Sequence, residues 1–523
     1  MPKKLSKIIF HPILFAIYPI LFLYSVNQNE LQLDVIWAPI FISIIFSILI
    51  WVLCSLIFRS IQKGALFTSA AIVAFSSYGH VISFISRFEP CVSQAAYLRN
   101  DKTLFSLLIV SAVLLSLFLF RTKRKMPSLH LYLNVFTIVF ILIQLVSIVR
   151  TENKIRKSFQ ALGVEQNANK KESANTPDIY YIVLDMYAGK EILQEIYGYD
   201  NSKFEEDLSS LEFEVLENAK SNYAHTYLSL TSSLNMEHVN TLEETLGKSN
   251  WSNGVIYEWM HNAKAMAFAR DHGYKLINFQ SGFGPTDDLK IADVNYRINT
   301  PFPLLKLFNK EIALTAFDHQ YLKLTILSPF LEKDLERTIR GQFLHTFKTL
   351  ADELPYEREK TFALAHIVLP HPPYLFDEFG NEIPEEELKK GWERFIDKEN
   401  YIKQLKFTSD KTLETVKNII ERSETPPIVI IQADHGTTNI LGDPHGWPRP
   451  APIEGIKERM SILHAVYLPG SPDILYEDIT PVNTFRFIYN YYFDANFELL
   501  PDTIYYTDFV NMLEFFDVTE ELK

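Results

Sequence analysis

Residues 178–185 read Asp-Ile-Tyr-Tyr-Ile-Val-Leu-Asp, with Pro177 just before them. Six apolar residues, β-branched and aromatic, are too few for a buried helix and are closed by a carboxylate. That pattern predicts a strand over Ile179–Leu184, covered on both faces, with Asp185 at its carboxyl end. Similar runs recur at Tyr274–Phe279, Thr361–Leu369, Ile428–Ala433 and Ile462–Leu468. Helical patterns lie between them, as in Lys203–Leu211, Tyr257–His272 and Glu393–Arg422, the last followed by Pro426-Pro427. Strands alternating with helices predict an α/β domain: a mostly parallel sheet with helices on both faces. In such sheets ligand sites form at the carboxyl ends of the strands.

Upstream the chain changes character. Five apolar stretches, roughly Ile8–Val26, Val35–Phe58, Ala65–Ile85, Leu104–Phe120 and Leu131–Val149, each approach the ~20 residues that cross a bilayer core. The first lacks a small-residue cleavage site and four more follow, so it reads as a span and not a signal peptide. Residues 1–150 are therefore expected to be an all-α transmembrane domain of five helices. Residues 151–177, in which Asn, Lys, Glu and Gln dominate, are expected to be an amphipathic stalk or linker, and residues 178–523 the catalytic domain. Basic residues mark the inner side: Lys3, Lys4 and Lys7; Arg59 and Lys63; Arg121, Lys123, Arg124 and Lys125. The first outer loop, 27–34, has only Glu30 and Asp34, although Arg87, Arg99 and Lys102 fall in the second and Arg150, Lys154, Arg156 and Lys157 follow the last span. On balance the N-terminus lies inside and everything after the fifth span is extracytoplasmic, on a multi-pass protein of the cell membrane.

Residues 1–150 hold 13 of the chain's 50 Lys and Arg but only 4 of its 63 Asp and Glu, leaving the remainder strongly acidic. An acidic domain of that size argues against a nucleic-acid partner. The two cysteines, Cys54 and Cys91, both lie in the membrane half, so the large domain has neither a disulfide framework nor a thiolate metal site.

Chemistry concentrates at the strand ends. Asp185 follows the first strand, His371 follows another in Leu-Pro-His-Pro-Pro-Tyr, and Asp434-His435-Gly436 follows a third. Between them runs Ser-Asn-Tyr-Ala-His-Thr-Tyr-Leu-Ser-Leu-Thr-Ser-Ser-Leu-Asn, residues 221–235, with hydroxyls at Thr226, Ser229, Thr231, Ser232 and Ser233. Carboxylates with imidazole suit zinc or manganese. Taken singly, an Asp after a strand is more often a cap or turn residue. His366 and His464, inside strands, read as buried hydrogen-bonded histidines, and His225 as a surface residue. His11, His80 and His130 should face polar neighbours or the membrane interface, and His261, His272 and His345 look structural.

The ordered set, a strand then Asp, a hydroxyl residue opening a helix, His-x-Pro, and a strand then Asp-His-Gly, resembles the alkaline phosphatase superfamily. With the five-span anchor it is similar to the sulfatase-like membrane transferases, which include lipoteichoic acid synthases and phosphoethanolamine transferases. The resemblance implies one divalent metal ion, Mn or Zn, held by Asp185, Thr226, Asp434 and His435, with Thr226 as the nucleophile. It gives His371 and His445 to substrate binding. Ser229 stands where nucleotide pyrophosphatase-like members carry Asn, three residues after the Thr, and is the fallback nucleophile. The Cys/Ser-x-Pro-x-Arg motif of sulfatases is absent after the first strand, which disfavours sulfate-ester hydrolysis by that chemistry. Of the two-metal pattern, an Asp four residues before a His, the first element is missing, because position 367 is Ile. The implied activity is transfer of a phosphoglycerol- or phosphoethanolamine-type group near the membrane surface, from a membrane lipid or to an envelope glycan. Two alternatives stand beside it: an anchored phosphodiesterase or phosphatase, and a non-catalytic anchored binding module.

Overall fold

The computed structural model describes residues 8–28, 31–86, 100–162, 176–248, 253–298, 314–389, 391–443, 446–470 and 475–523. Cys91, Arg87, Arg99 and His445 fall outside these residues. The chain divides into two compact units, residues 1–154 with 300–337, and residues 155–299 with 338–523.

The first unit is helical: α1 His11–Asn27, α2 Trp37–Ile57, α3 Ile61–Ser86, α4 Asp101–Arg121 and α5 Pro127–Ala161. Four of them are long and apolar enough to cross a membrane: α2 with the turn before it, α3, α4 and α5. α1 differs from the expected first span. It has 17 residues, begins only at His11 because Pro12 occupies the first turn, and spans about 25 Å at 1.5 Å per residue. α5 does not stop near residue 150 but continues to Ala161, so the expected linker opens as helix. Residues 314–337, which the sequence puts in the catalytic segment, lie with this first unit. The helix Ala316–Leu324 starts from a capping box between Thr315 and Asp318 and buries Phe317 beside Ile20 and Tyr24. It approaches α3 at Gly79, where a Cβ would stand 2.7 Å from the Leu324 Cα.

The second unit is built on a seven-stranded sheet. Its strands are β1 Ile179–Leu184, β2 Glu214–Val215, β3 Lys275–Phe279, β4 Val294–Tyr296, β5 Thr361–Ile367, β6 Ile428–Gln432 and β7 His464–Tyr467. The order is β2-β7-β6-β1-β5-β3-β4. β4, β3, β5, β1 and β6 run parallel; β7 pairs antiparallel with β6, and β2 antiparallel with β7. β1, β5 and β6 are buried along their whole length, as strands covered on both faces must be. Glu393–Arg422 divides in two: a 3₁₀ turn over Gly391–Ile396, then a helix Lys398–Arg422 opened by Asp397, whose carboxylate accepts from the Asn400 N–H. In register, Val183 pairs with Gln432 and Leu184 with Ile367. Continuing that register puts Asp434 level with Asp185 and sets His366 beside them, all at one edge of the sheet.

Candidate active site

Three short loops and one helix end meet at that edge. Asp185 leaves β1 with its N–H bonded to the Ile367 carbonyl, 3.0 Å away. Asp434 leaves β6, and one carboxylate oxygen, Oδ1, accepts from the N–H groups of Met186 (3.1 Å) and His435 (2.9 Å). Its other oxygen, Oδ2, is buried without a hydrogen bond, as are Asp185 Oδ1 and His366 Nε2. One atom from each of Asp185, His366 and Asp434 lies within 4.8 Å of the others, and all three residues are buried.

The imidazoles have fixed orientations. His435 Nδ1 lies 3.0 Å from the Gly436 carbonyl, which can only accept, so Nδ1 carries the proton and Nε2 the lone pair. That Nε2 stands 3.0 Å from Thr226 Oγ1, 3.2 Å from Asp434 Oδ2 and 3.8 Å from Asp185 Oδ1. His366 is held from behind by the Thr286 hydroxyl, 2.7 Å from Nδ1, which leaves Nε2 directed at Asp185 Oδ2, 3.5 Å away. An outer hydroxyl that orients a ring in this way is a usual support for a metal-ligating histidine. His371 is fixed similarly, its Nδ1 2.5 Å from the Pro372 carbonyl.

Thr226 is the first residue of the helix Thr226–Asn235, behind an extended His225. Every other residue of that helix is buried. The alternative hydroxyls are engaged inside: Ser229 Oγ accepts from Ser221, Ser232 donates to the Glu237 carbonyl, and Ser233 donates to the Ser229 carbonyl. The helix end therefore presents one hydroxyl at the positive end of the helix dipole.

Burial sets the electrostatics. It pushes the Asp434 carboxyl up, and the neighbouring Asp185 charge adds to the rise. Burial would raise Asp185 too, but His371, His366 and His435 outweigh it and hold that carboxyl below its usual range. His435 is driven well down by burial and by the Arg459 charge, and His371 is lowered by burial. Two neighbouring carboxylates, one held down and the other pushed up, share a buried site with lowered imidazoles and the Arg459 guanidinium.

A cavity of about 420 Å³ opens over Thr226, His371 and His435, with Trp392, Arg394 and Arg459 on its walls. A larger cleft of about 1030 Å³, bordered by Lys220, Tyr476 and Lys523, touches none of these residues; size alone would have misdirected the search. Of the residues singled out in the sequence, Asp185, Thr226, Asp434 and His435 come together and His371 borders their cavity. Two assignments change. His225 is buried, not superficial, stacked on Trp447 and Tyr227. His366, read as structural, faces both carboxylates. Its signal was available: it is the penultimate residue of the strand next to the one that delivers Asp185.

No family model matches the sequence, and no curated protein matches it. Solved structures do. The C-terminal periplasmic domain of EptC from Escherichia coli is 13% identical, aligning over 65% of this chain and 92% of its own, with a TM-score of 0.38. The same domain of the phosphoethanolamine transferase EptC from Campylobacter jejuni is 15% identical over 66% and 97%, with a TM-score of 0.36. A putative sulfatase from Bacteroides thetaiotaomicron is 14% identical over 65% and 75%, with a TM-score of 0.39. At such scores the weight falls on the side chains of this chain.

Proposed function

We propose that the chain is a membrane-anchored, metal-dependent phospho-group transferase of the sulfatase-like, alkaline phosphatase superfamily type, with Thr226 as its nucleophile. One observation carries this reading. The lone hydroxyl at the head of a buried helix lies 3.0 Å from His435 Nε2, beside two buried carboxylates whose free oxygens have no hydrogen-bond partner.

The donor set fits a divalent cation. Unpaired carboxylate oxygens and lone-pair nitrogens face one another, and burying them uncompensated costs several kcal/mol per ion. Asp185, Asp434, His435 and Thr226 would hold the ion, with His366 within reach. Oxygen and imidazole donors without thiolate suit Zn or Mn. Bound there, a divalent ion supplies positive charge that acidifies a ligated hydroxyl and offsets charge on a phosphoryl oxygen.

The protein's own groups do the rest. Thr226 Oγ attacks the phosphorus of a phosphodiester donor; the Oγ–P bond forms and the donor's ester P–O bond breaks. The departing alkoxide takes the proton that Thr226 Oγ gives up, relayed by the lone-pair nitrogen of His371 on the cavity wall. An acceptor hydroxyl then attacks the same phosphorus, the Oγ–P bond breaks, and the acceptor's proton passes by way of His371 to Thr226 Oγ, restoring the Thr226 hydroxyl. The phosphorus group is of the phosphoglycerol or phosphoethanolamine type, drawn from a membrane lipid. Apolar helices that hold the enzyme at the bilayer raise the effective concentration of such a donor. The basic segments read as inner loops, with α1 counted as the first of five crossings, support an extracytoplasmic catalytic unit.

The test uses full-length wild type and Thr226→Ala with a phospholipid labelled in its headgroup. Wild type should release label and yield a phosphorylated Thr226 peptide by mass spectrometry; the variant should do neither. Equal release by both rules out Thr226. Release to water at full rate without any acceptor would reassign the enzyme as a hydrolase.

A further inference from the structure

Arg459 lies in the last turn of the helix Ile453–Met460 and ties together the two loops that carry Thr226 and the Asp-His pair. Its Nε donates to the Ala224 carbonyl at 2.7 Å, and its Nη1 donates to the Gly436 carbonyl at 2.9 Å. The guanidinium lies 5.2 Å from the Trp447 ring centroid. The side chain is only 6% exposed.

A buried guanidinium ordinarily meets a carboxylate. Arg459 does not: among the described residues its two hydrogen-bonded acceptors are backbone carbonyls. Asp185 and Asp434 are near enough to sustain its charge, although burial lowers its pKa to about 10. The second terminal nitrogen, Nη2, has no hydrogen-bond partner among the described residues, and it is not one of the fully occluded atoms left unpaired. Arg459 also lines the cavity that Thr226, His371 and His435 border. With Nε and Nη1 fixed, the fork cannot swing, and its remaining terminal nitrogen is a preorganised donor on the wall of the nucleophile's cavity. Planar guanidinium edges match phosphoryl oxygens in geometry and charge.

The geometry points to Arg459 as a catalytic residue that donates through Nη2 to a non-bridging oxygen of the phosphoryl group under attack by Thr226 Oγ. The assignment rests on the reading of Thr226 as nucleophile. It makes the ligand an oxyanion of phosphorus, held between the free edge of a guanidinium and the helix N-terminus, whatever alcohol is attached. Charge grows on the equatorial oxygens as Oγ–P forms and the ester P–O breaks, so a rigid donor there acts most strongly in the transition state. The same residue fixes the Ala224 and Gly436 carbonyls, so the test must separate the two roles.

Full-length wild type, Arg459→Met and Arg459→Lys are loaded with zinc or manganese. Bound metal, thermal midpoint, the calorimetric Kd for inorganic phosphate, and kcat and KM for bis(p-nitrophenyl) phosphate are then measured. Arg459→Met should keep its metal, bind phosphate about tenfold more weakly or worse, and lose roughly 10²–10³-fold in turnover, chiefly in kcat. Arg459→Lys, which keeps the charge but lacks the planar fork that reaches both carbonyls and the phosphoryl oxygen at once, should fall between. Phosphate affinity equal to wild type in a metal-loaded variant overturns the proposal, even if turnover falls, because the residue is then only a tie between loops. If Arg459→Met does not fold, Arg459→Lys decides alone by the same reading. Thr226→Ala separates the two claims: it should abolish turnover while binding phosphate as wild type does. Full turnover by Thr226→Ala would defeat the nucleophile, yet an Arg459-dependent phosphate Kd would still stand.

Discussion

Each of the two units buries a histidine cluster, and the clusters are opposites. In the helical unit, His11 Nδ1 meets Ser69 Oγ at 2.7 Å, His11 Nε2 meets His130 Nδ1 at 3.0 Å, and the Asn134 amide oxygen accepts the His11 N–H at 2.9 Å. The rings stack at 5.3 Å, and the residues so joined include no acid. In the sheet unit the imidazoles face Asp185 and Asp434, whose free oxygens are left without hydrogen bonds. The first cluster turns most of its polarity on itself, with His130 Nε2 left over and no carboxylate unpaired; bonds of this kind between apolar helices are worth roughly 0.6 kcal/mol each. The second keeps its polarity unspent at a cost, and something positive must repay it. Buried histidine is thus no marker of function; buried histidine aimed at an unpaired carboxylate is.

The sharpest way to break that contrast is to remove a carboxylate from the second cluster. Asp434→Asn keeps the shape and the acceptor for Met186 and His435 but removes the charge. Bound metal should vanish in elemental analysis, and turnover should fall on the order of 10³-fold or more. Full metal occupancy in the variant would mean that the unpaired oxygens had been misread. Chelation tests the same point without mutation. Because a ligand that binds only the folded state stabilises by RT ln(1 + [L]/Kd), metal at 1,000 times its Kd contributes about 4 kcal/mol. The thermal midpoint should drop on chelation, recover with Zn or Mn, and show no such response in Asp434→Asn.

Thr286→Val is a finer probe. It preserves volume and removes the hydroxyl that orients His366 from 2.7 Å. A ring freed to turn should weaken metal binding by about 10–100-fold in competition titrations, at a stability cost of about 1–3 kcal/mol for the lost buried hydrogen bond. Unchanged metal affinity would return His366 to the structural role its position in a strand first suggested.

That uncertainty over His366 marks the limit of what was legible in the sequence. Asp185, Asp434 and His435 were readable because each follows a short apolar run, and a parallel sheet collects the ends of such runs along one edge. The strand register that makes Asp434 level with Asp185 involves partners more than 240 residues apart and is written in no local pattern. His366 lies inside a run whose flanking residues are buried on both faces, so alternation gave no hint of which way it points. β2 and β4 were missed because edge strands of two and three residues carry no periodicity. The direction of β7 was equally hidden, since an antiparallel strand within a mixed sheet is as apolar as a parallel one. The placement of residues 314–337 with the apolar helices depends on a non-local fit at Gly79, which composition does not reveal. Arg459 was invisible for a plainer reason: nothing about an Arg near the end of a charged helix distinguishes a buried guanidinium from a solvated one.

The smallest expected effect lies in the other cluster, and it tests the contrast from its quiet side. His11→Leu fits the apolar surroundings of Ile8–Ile20 and removes the bonds to Ser69 and His130. Two polar groups are then left unpaired, but the Asn134 bond to the residue 11 N–H survives because it uses the backbone. The loss should amount to about 1–2 kcal/mol, visible as a modestly lower thermal midpoint in detergent. Metal content and diester turnover at a temperature well below that midpoint should stay within about twofold of wild type. A His11→Leu protein that folds with an undiminished midpoint but turns over at a small fraction of the normal rate would give the membrane histidines a part in the chemistry. In that event the absence of an acid among their partners would no longer separate packing from function.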